Sequence, residues 1–241
     1  MAGCTVNAVR RYGAGLLALT LLSFVAAAPV AGQNHRVTLP GEGKVELPKG
    51  KRSNDDQDVR RAMTKLAACV MRFAPKRIPA YLATFPGSDK AHDAGQRMTS
   101  GTICLQSGEM TLKERVLRGA VYELSYRQKF ASQAPDLAAV GSIDYSQGEP
   151  ITDRTSPHIA LRLMADCAVR ADGSDARALL LTSVATPEEK ASFAALMPHV
   201  SACIPEGKTI SFSQSVLRGL IAEVLYRLST TVPTASSAGM S

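Results

Sequence analysis

The sequence predicts an all-helical fold, a tandem duplication of a roughly four-helix unit with each unit closed by one disulfide. Three observations carry this. The segment Val116-Leu117-Arg118-Gly119-Ala120-Val121-Tyr122-Glu123-Leu124-Ser125-Tyr126-Arg127 recurs as Val216-Leu217-Arg218-Gly219-Leu220-Ile221-Ala222-Glu223-Val224-Leu225-Tyr226-Arg227, with seven of twelve positions identical at an offset of 100. Cys104 and Cys203 lie 99 residues apart, and Cys69 and Cys167 98 apart, so the cysteines follow the same repeat. Apolar residues recur at three- and four-residue steps through both halves, the period of a helix with one buried face.

Residues 1–31 read as a secretory signal. Arg10 and Arg11 precede an apolar run from Leu16 to Ala28 and then small residues, which places cleavage after Ala31 or Gly32. The run falls short of the about 20 apolar residues that a spanning helix needs. Cys4 precedes the run, the wrong place for lipidation. Residues 32–56 are polar and rich in Gly, Pro and Lys, which predicts a flexible segment. Val37, Leu39, Val45 and Leu47 around Pro40-Gly41-Glu42-Gly43 give a weaker signal for a hairpin.

The first repeat spans 57–130. Val59, Met63, Leu66, Val70 and Phe73 line one face of a helix that carries Cys69 beside its stripe and ends at Ala74-Pro75. Ile78 to Phe85 is a shorter helix stopped by Pro86-Gly87. Ser88 or Asp89 caps a third that runs towards Ser100-Gly101. Thr111 and Glu114 form a capping box for the fourth. Residues 131–155 make a 25-residue connection without helical pattern, a length uncommon inside compact domains. Either Ile143-Asp144-Tyr145 packs as an extended segment or the units are loosely linked.

The second repeat, 156–229, is more sharply punctuated. Ser156-Pro157 reads as an N-cap with proline at the first helical position. Leu161, Met164, Cys167 and Ala168 supply the stripe, and Asp175 to Ala185 a second helix. Thr186-Pro187-Glu188-Glu189 opens a third, where the helix dipole accounts for the paired acids. Pro205-Glu206-Gly207 precedes a fourth from Ser211 or Ser213, with Leu217, Leu220, Ile221, Val224 and Leu228 on its face. Residues 230–241, rich in Ser, Ala and Thr, are expected to be disordered.

Loss of the signal takes Arg10 and Arg11 and no acid, so the formal charge falls from +7 to +5. A mildly basic exported chain suits solubility and peripheral contact with anionic envelope surfaces. Lys49-Gly50-Lys51-Arg52 is followed at once by Asp55, Asp56 and Asp58, a solvated segment and not a nucleic-acid site. With Cys4 removed, four cysteines remain, an even number in an exported chain. The repeat selects Cys69–Cys104 and Cys167–Cys203 from the three pairings.

On the repeated helix, Leu117, Ala120, Val121 and Leu124 make one apolar face. Gly119, Glu123 and Tyr126 lie on the other side, with Arg118 and Arg127 on the flanks. Glycine inside a helix costs about 0.5–1 kcal/mol relative to alanine, so a glycine kept in both copies implies close approach of another helix. Glu123–Arg127 and Glu223–Arg227 have the favourable acid-first spacing of four. A buried helix with tethered ion pairs and a tyrosine hydroxyl bonded to backbone explains all of these. A binding patch of Arg118, Glu123, Tyr126, Arg127, Arg218, Glu223, Tyr226 and Arg227 is the functional reading.

The catalytic and cofactor patterns sought do not occur. His35, His92, His158 and His199 make no His-x-x-x-His or Glu-x-x-His pair, so no metal is expected. There is no Cys-x-x-Cys, Gly-x-Ser-x-Gly, P-loop or dinucleotide glycine pattern, and no cofactor is expected. The leading expectation is an exported, periplasmic or secreted, non-catalytic protein that binds an envelope protein partner or an apolar segment between its units. The alternatives are an exported hydrolase of cell-wall material with Glu123 or Glu223 as acid, or a structural or stress protein without ligand.

Overall fold

A computed structural model describes residues 55–100, 103–105, 114–146, 149–210 and 212–232. The signal segment, the segment 32–54, Thr111 and the tail from residue 233 lie outside the described residues. Among the described residues there are eight α-helices and no strand: α1 (Asp55–Phe73), α2 (Ile78–Leu82), α3 (Asp89–Thr99), α4 (Glu114–Phe130), α5 (Ser156–Ala171), α6 (Gly173–Leu181), α7 (Pro187–Ala202) and α8 (Gln214–Thr231).

Side-chain caps start four of them. Ser88, Asp172, Thr186 and Ser213 each accept the backbone N–H three residues on, satisfying a donor that the first turn leaves orphaned. Five expected boundaries move. α1 begins at Asp55, inside the segment 32–56 expected to be flexible, and α8 runs to Thr231, past the expected start of the tail at 230. α6 begins at Gly173 and not Asp175, because the carboxylate of Asp172 takes the Asp175 N–H. It ends at Leu181 and not Ala185, whose φ of 60° is incompatible with a helix. α2 stops at Leu82, short of Phe85, where the Thr84 hydroxyl bonds the Tyr81 carbonyl. α5 does start at Ser156, but Ser156 is no cap; the preceding Thr155 spends its hydroxyl on the Pro150 carbonyl, 2.7 Å away.

Two apolar cores form. Met63, Leu66, Val70, Tyr81, Met98, Leu117 and Val121 build the first, and residues from α4 to α8 the second. α4 serves both, since Leu117 and Val121 face the first while Tyr122 and Tyr126 face the second. The bridges Cys69–Cys104 and Cys167–Cys203 form as the repeated spacing predicts, with Cα separations of 5.7 and 5.8 Å. The connection after α4 is packed and not loose. Val140 and Tyr145 are buried, the Tyr145 hydroxyl donates to Asp166 at 2.7 Å, and Arg170 holds the carbonyls of Val140 and Gly141. No helix among the described residues is long and apolar enough to cross a membrane.

α4 and α8 meet at Gly119 and Gly219. A Cβ on Gly119 would lie 2.5 Å from the Gly219 Cα, and one on Gly219 would lie 3.0 Å from the Gly119 Cα. Only two glycines permit backbones this close. Beyond the crossing the helices run in the same sense, with Tyr122, Lys129 and Phe130 of α4 all reaching Tyr226 of α8.

Candidate functional site

The repeated charged residues converge on this crossing. Arg118, Glu123, Arg218 and Glu223 are each 3% exposed, so their charges are compensated inside the fold. Arg118 donates Nε to Glu114 Oε1 at 2.8 Å, and its Nη atoms to the Tyr81 and Leu82 carbonyls and the Thr84 hydroxyl. Arg218 makes the matching set at the end of α6, donating to the Thr182 carbonyl and hydroxyl. Each guanidinium sits where a helix C-terminus presents its last carbonyls and negative dipole.

Glu123 is gripped by both Arg218 Nε and Nη2 at 2.7 Å, a bidentate pair, while Arg127 stands off at 3.9 Å. The expected i,i+4 pair is therefore secondary here, and the principal bond joins α4 to α8. Arg127 turns instead to the Leu181 and Thr182 carbonyls. Glu223 keeps its expected pair with Arg227 at 3.0 Å and adds Arg162 Nε, also at 3.0 Å. The hydroxyl of Tyr126 is buried with no partner, contrary to the expected backbone bond. Burial raises its pKa. Tyr226 is half-buried and accepts Lys129 Nζ at 3.0 Å.

Arg60, Arg162 and Arg115 carry no signal in the sequence, and Glu189 and His158 read there only as a helix-start acid and an unpaired histidine, yet all five complete the site. Glu189 lies 2% exposed between Arg218 Nη1, at 2.9 Å, and Arg60. Arg60, Glu189, Arg218, Glu123 and Arg127 thus form an alternating chain of charges across α1, α7, α8 and α4. Thr186-x-x-Glu189 is a capping-box pattern, the one signal that marked Glu189 as more than a surface acid. Arg60 and Arg162 fall within amphipathic helices, where a charge ordinarily reads as solvent-facing.

Two small hollows flank the Gly119–Gly219 contact. One, of about 40 Å³, is bounded by Arg115 and Arg118 of α4, His158 and Arg162 of α5 and Glu223 of α8. The other, of about 20 Å³, is bounded by Arg60, Met63, Thr64, Glu123 and Arg218. Each residue that lines the first has a counterpart 98 or 100 positions away that lines the second: His158 answers to Arg60, Arg162 to Thr64, Arg115 to Ser215, Glu223 to Glu123. In the first hollow Arg115 Nη2 lies 3.3 Å from His158 Nε2, and Arg162 Nη2 is buried without a partner. Burial, followed by the charges of Arg115, Arg162 and Arg154, lowers the His158 pKa to about 4. The ring is neutral at pH 7 and its Nε2 accepts.

Asp172, Asp175 and His199 bring one ligand-capable atom each within 4.8 Å of one another, a grouping the sequence spacing did not suggest. The Asp172 carboxylate is already engaged by the Asp175 N–H and the Ser174 hydroxyl as the α6 cap. No protein-family model, curated protein or solved structure matches this chain.

Proposed function

We propose an exported, non-catalytic helical protein of the cell envelope or periplasm that works by binding a partner protein, and that arose by tandem duplication of a helical unit. The duplication is supported by the matched linings of the two hollows and by the matched roles of Arg118 and Arg218. Export is supported by the two disulfides, which persist in oxidising compartments.

The observation that carries the binding reading is the fate of the repeated acids. Glu123 and Glu223 are 3% exposed and meet guanidinium groups. A general acid must reach the leaving group within about 2.6–3.2 Å. Carboxylates so enclosed serve as internal struts. The space between α4 and α8 is closed at the glycines, so a partner meets an outer face. Phe73 and Ile103, 55% and 54% exposed, flank the Cys69–Cys104 bridge in sequence and offer apolar anchors there.

Two assays test this on the mature protein. Cross-linking in intact cells should give a discrete adduct with wild type that the Phe73→Ser/Ile103→Ser double variant loses while its melting temperature holds. Incubation with purified cell wall should release no soluble fragments. Release that disappears in Glu123→Gln or Glu223→Gln would establish the hydrolase in its place.

A further inference from the structure

The two hollows match in position and differ in charge. Beside the second, the carboxylate of Glu189, itself outside the lining, bridges Arg60 and Arg218, which do line it. Glu189 is the third residue of α7 after its cap Thr186, and its counterpart, 98 positions earlier, is Ala91, the third residue of α3 after its cap Ser88. The first hollow therefore has the counterparts of Arg60 and Arg218, namely His158 and Arg118, without the carboxylate that joins them. It gains two cations instead, Arg115 in place of Ser215 and Arg162 in place of Thr64.

We propose that the hollow bounded by Arg115, Arg118, His158 and Arg162 binds a small inorganic oxyanion of phosphate or sulfate type, which takes the part that Glu189 plays beside the second hollow. Guanidinium forks match oxyanion geometry, and a site partly withdrawn from water strengthens the attraction. Arg162, 1% exposed, keeps a buried Nη2 donor that no atom of the described residues accepts. At about 40 Å³ the hollow holds one to three water molecules, which suits a small ion and excludes a nucleotide or sugar. Pro86 and Leu161 wall the site with apolar surface, and Phe85 packs edge-on to the His158 ring at 5.7 Å.

The test follows the His158 ring resonances by NMR in the mature protein, titrated with phosphate, with sulfate, and with chloride at matched ionic strength. The groups that act on His158 are Arg115 of α4, Arg162 of α5, Arg154 of the preceding segment and Glu223 of α8. A bound oxyanion offsets the three cations, so phosphate or sulfate at millimolar concentration should raise the His158 midpoint by at least half a unit and chloride should not. The half-exposed Arg115→Gln variant should weaken phosphate affinity at least tenfold, while Arg61→Gln, distant in sequence and on the surface, should leave it unchanged. Ala91→Glu, which restores the missing carboxylate, should abolish the phosphate response; if that variant fails to fold, Arg115→Gln decides alone. Equal responses to chloride and phosphate, an unchanged affinity in Arg115→Gln, or no response in wild type overturns the proposal.

Discussion

Buried polar atoms are where this chain departs most from simple packing. The Tyr126 hydroxyl is enclosed without a partner, and an unsatisfied buried hydroxyl costs free energy that a phenyl ring does not. Tyr126→Phe should leave stability unchanged or raise it by about 1 kcal/mol in urea denaturation. A loss of that size would show the hydroxyl to be bonded. His158 makes the second test. Its folded pKa, about 4, lies below the 6.5 of a free imidazole. Between those values the unfolded chain binds a proton that the folded chain refuses, so stability falls as pH drops from about 6.5 to about 4 and then levels. Denaturation midpoints across that range should show the decline, and His158→Gln should flatten it.

Among the helices, the α4–α8 crossing sets the strictest requirement. Alanine at Gly119 would place its Cβ 2.5 Å from backbone that cannot move aside, and alanine at Gly219 meets the same backbone at 3.0 Å. Gly119→Ala should cost about 1–3 kcal/mol despite better helix propensity, and Gly219→Ala less. Thermal melts of both variants check the order. This close approach was legible in the sequence, because glycine at both of the matching positions Gly119 and Gly219 has no local justification in a helix. So were the bridges and the cap at Thr186, which rest on spacing and side-chain chemistry, while Ser88 and Ser213 were each one of two candidates. The real partner of Glu123 was not, since Arg218 lies 95 residues away and i,i+4 spacing offered Arg127 as a plausible substitute. Arg162 was hidden for a similar reason. Its burial depends on Glu223 arriving from another helix, and periodicity within α5 carries no trace of that.

Taken whole, the molecule rests on two cores, each fastened by a bridge whose ends lie 35 or 36 residues apart. Such a loop stabilises by roughly 3–4 kcal/mol in the chain-entropy model. Total stabilities of about 5–15 kcal/mol leave little margin beyond two such bridges. Reduction of both should therefore unfold the protein at 37 °C, read as loss of the near-UV circular dichroism signal. Peptide mapping of the oxidised form should find only Cys69–Cys104 and Cys167–Cys203.

The sharing of α4 between the cores governs how the chain can come apart. Leu117 and Val121 belong to one core and Tyr122 and Tyr126 to the other, so neither half can lose its order while α4 stays intact for its neighbour. Amide protons along α4 should exchange with solvent only when the entire fold opens, and at one common rate. Cutting the gene within the connection at 131–155 would leave an N-terminal fragment with an aromatic face bared to water, prone to self-association and unable to persist as an independent domain.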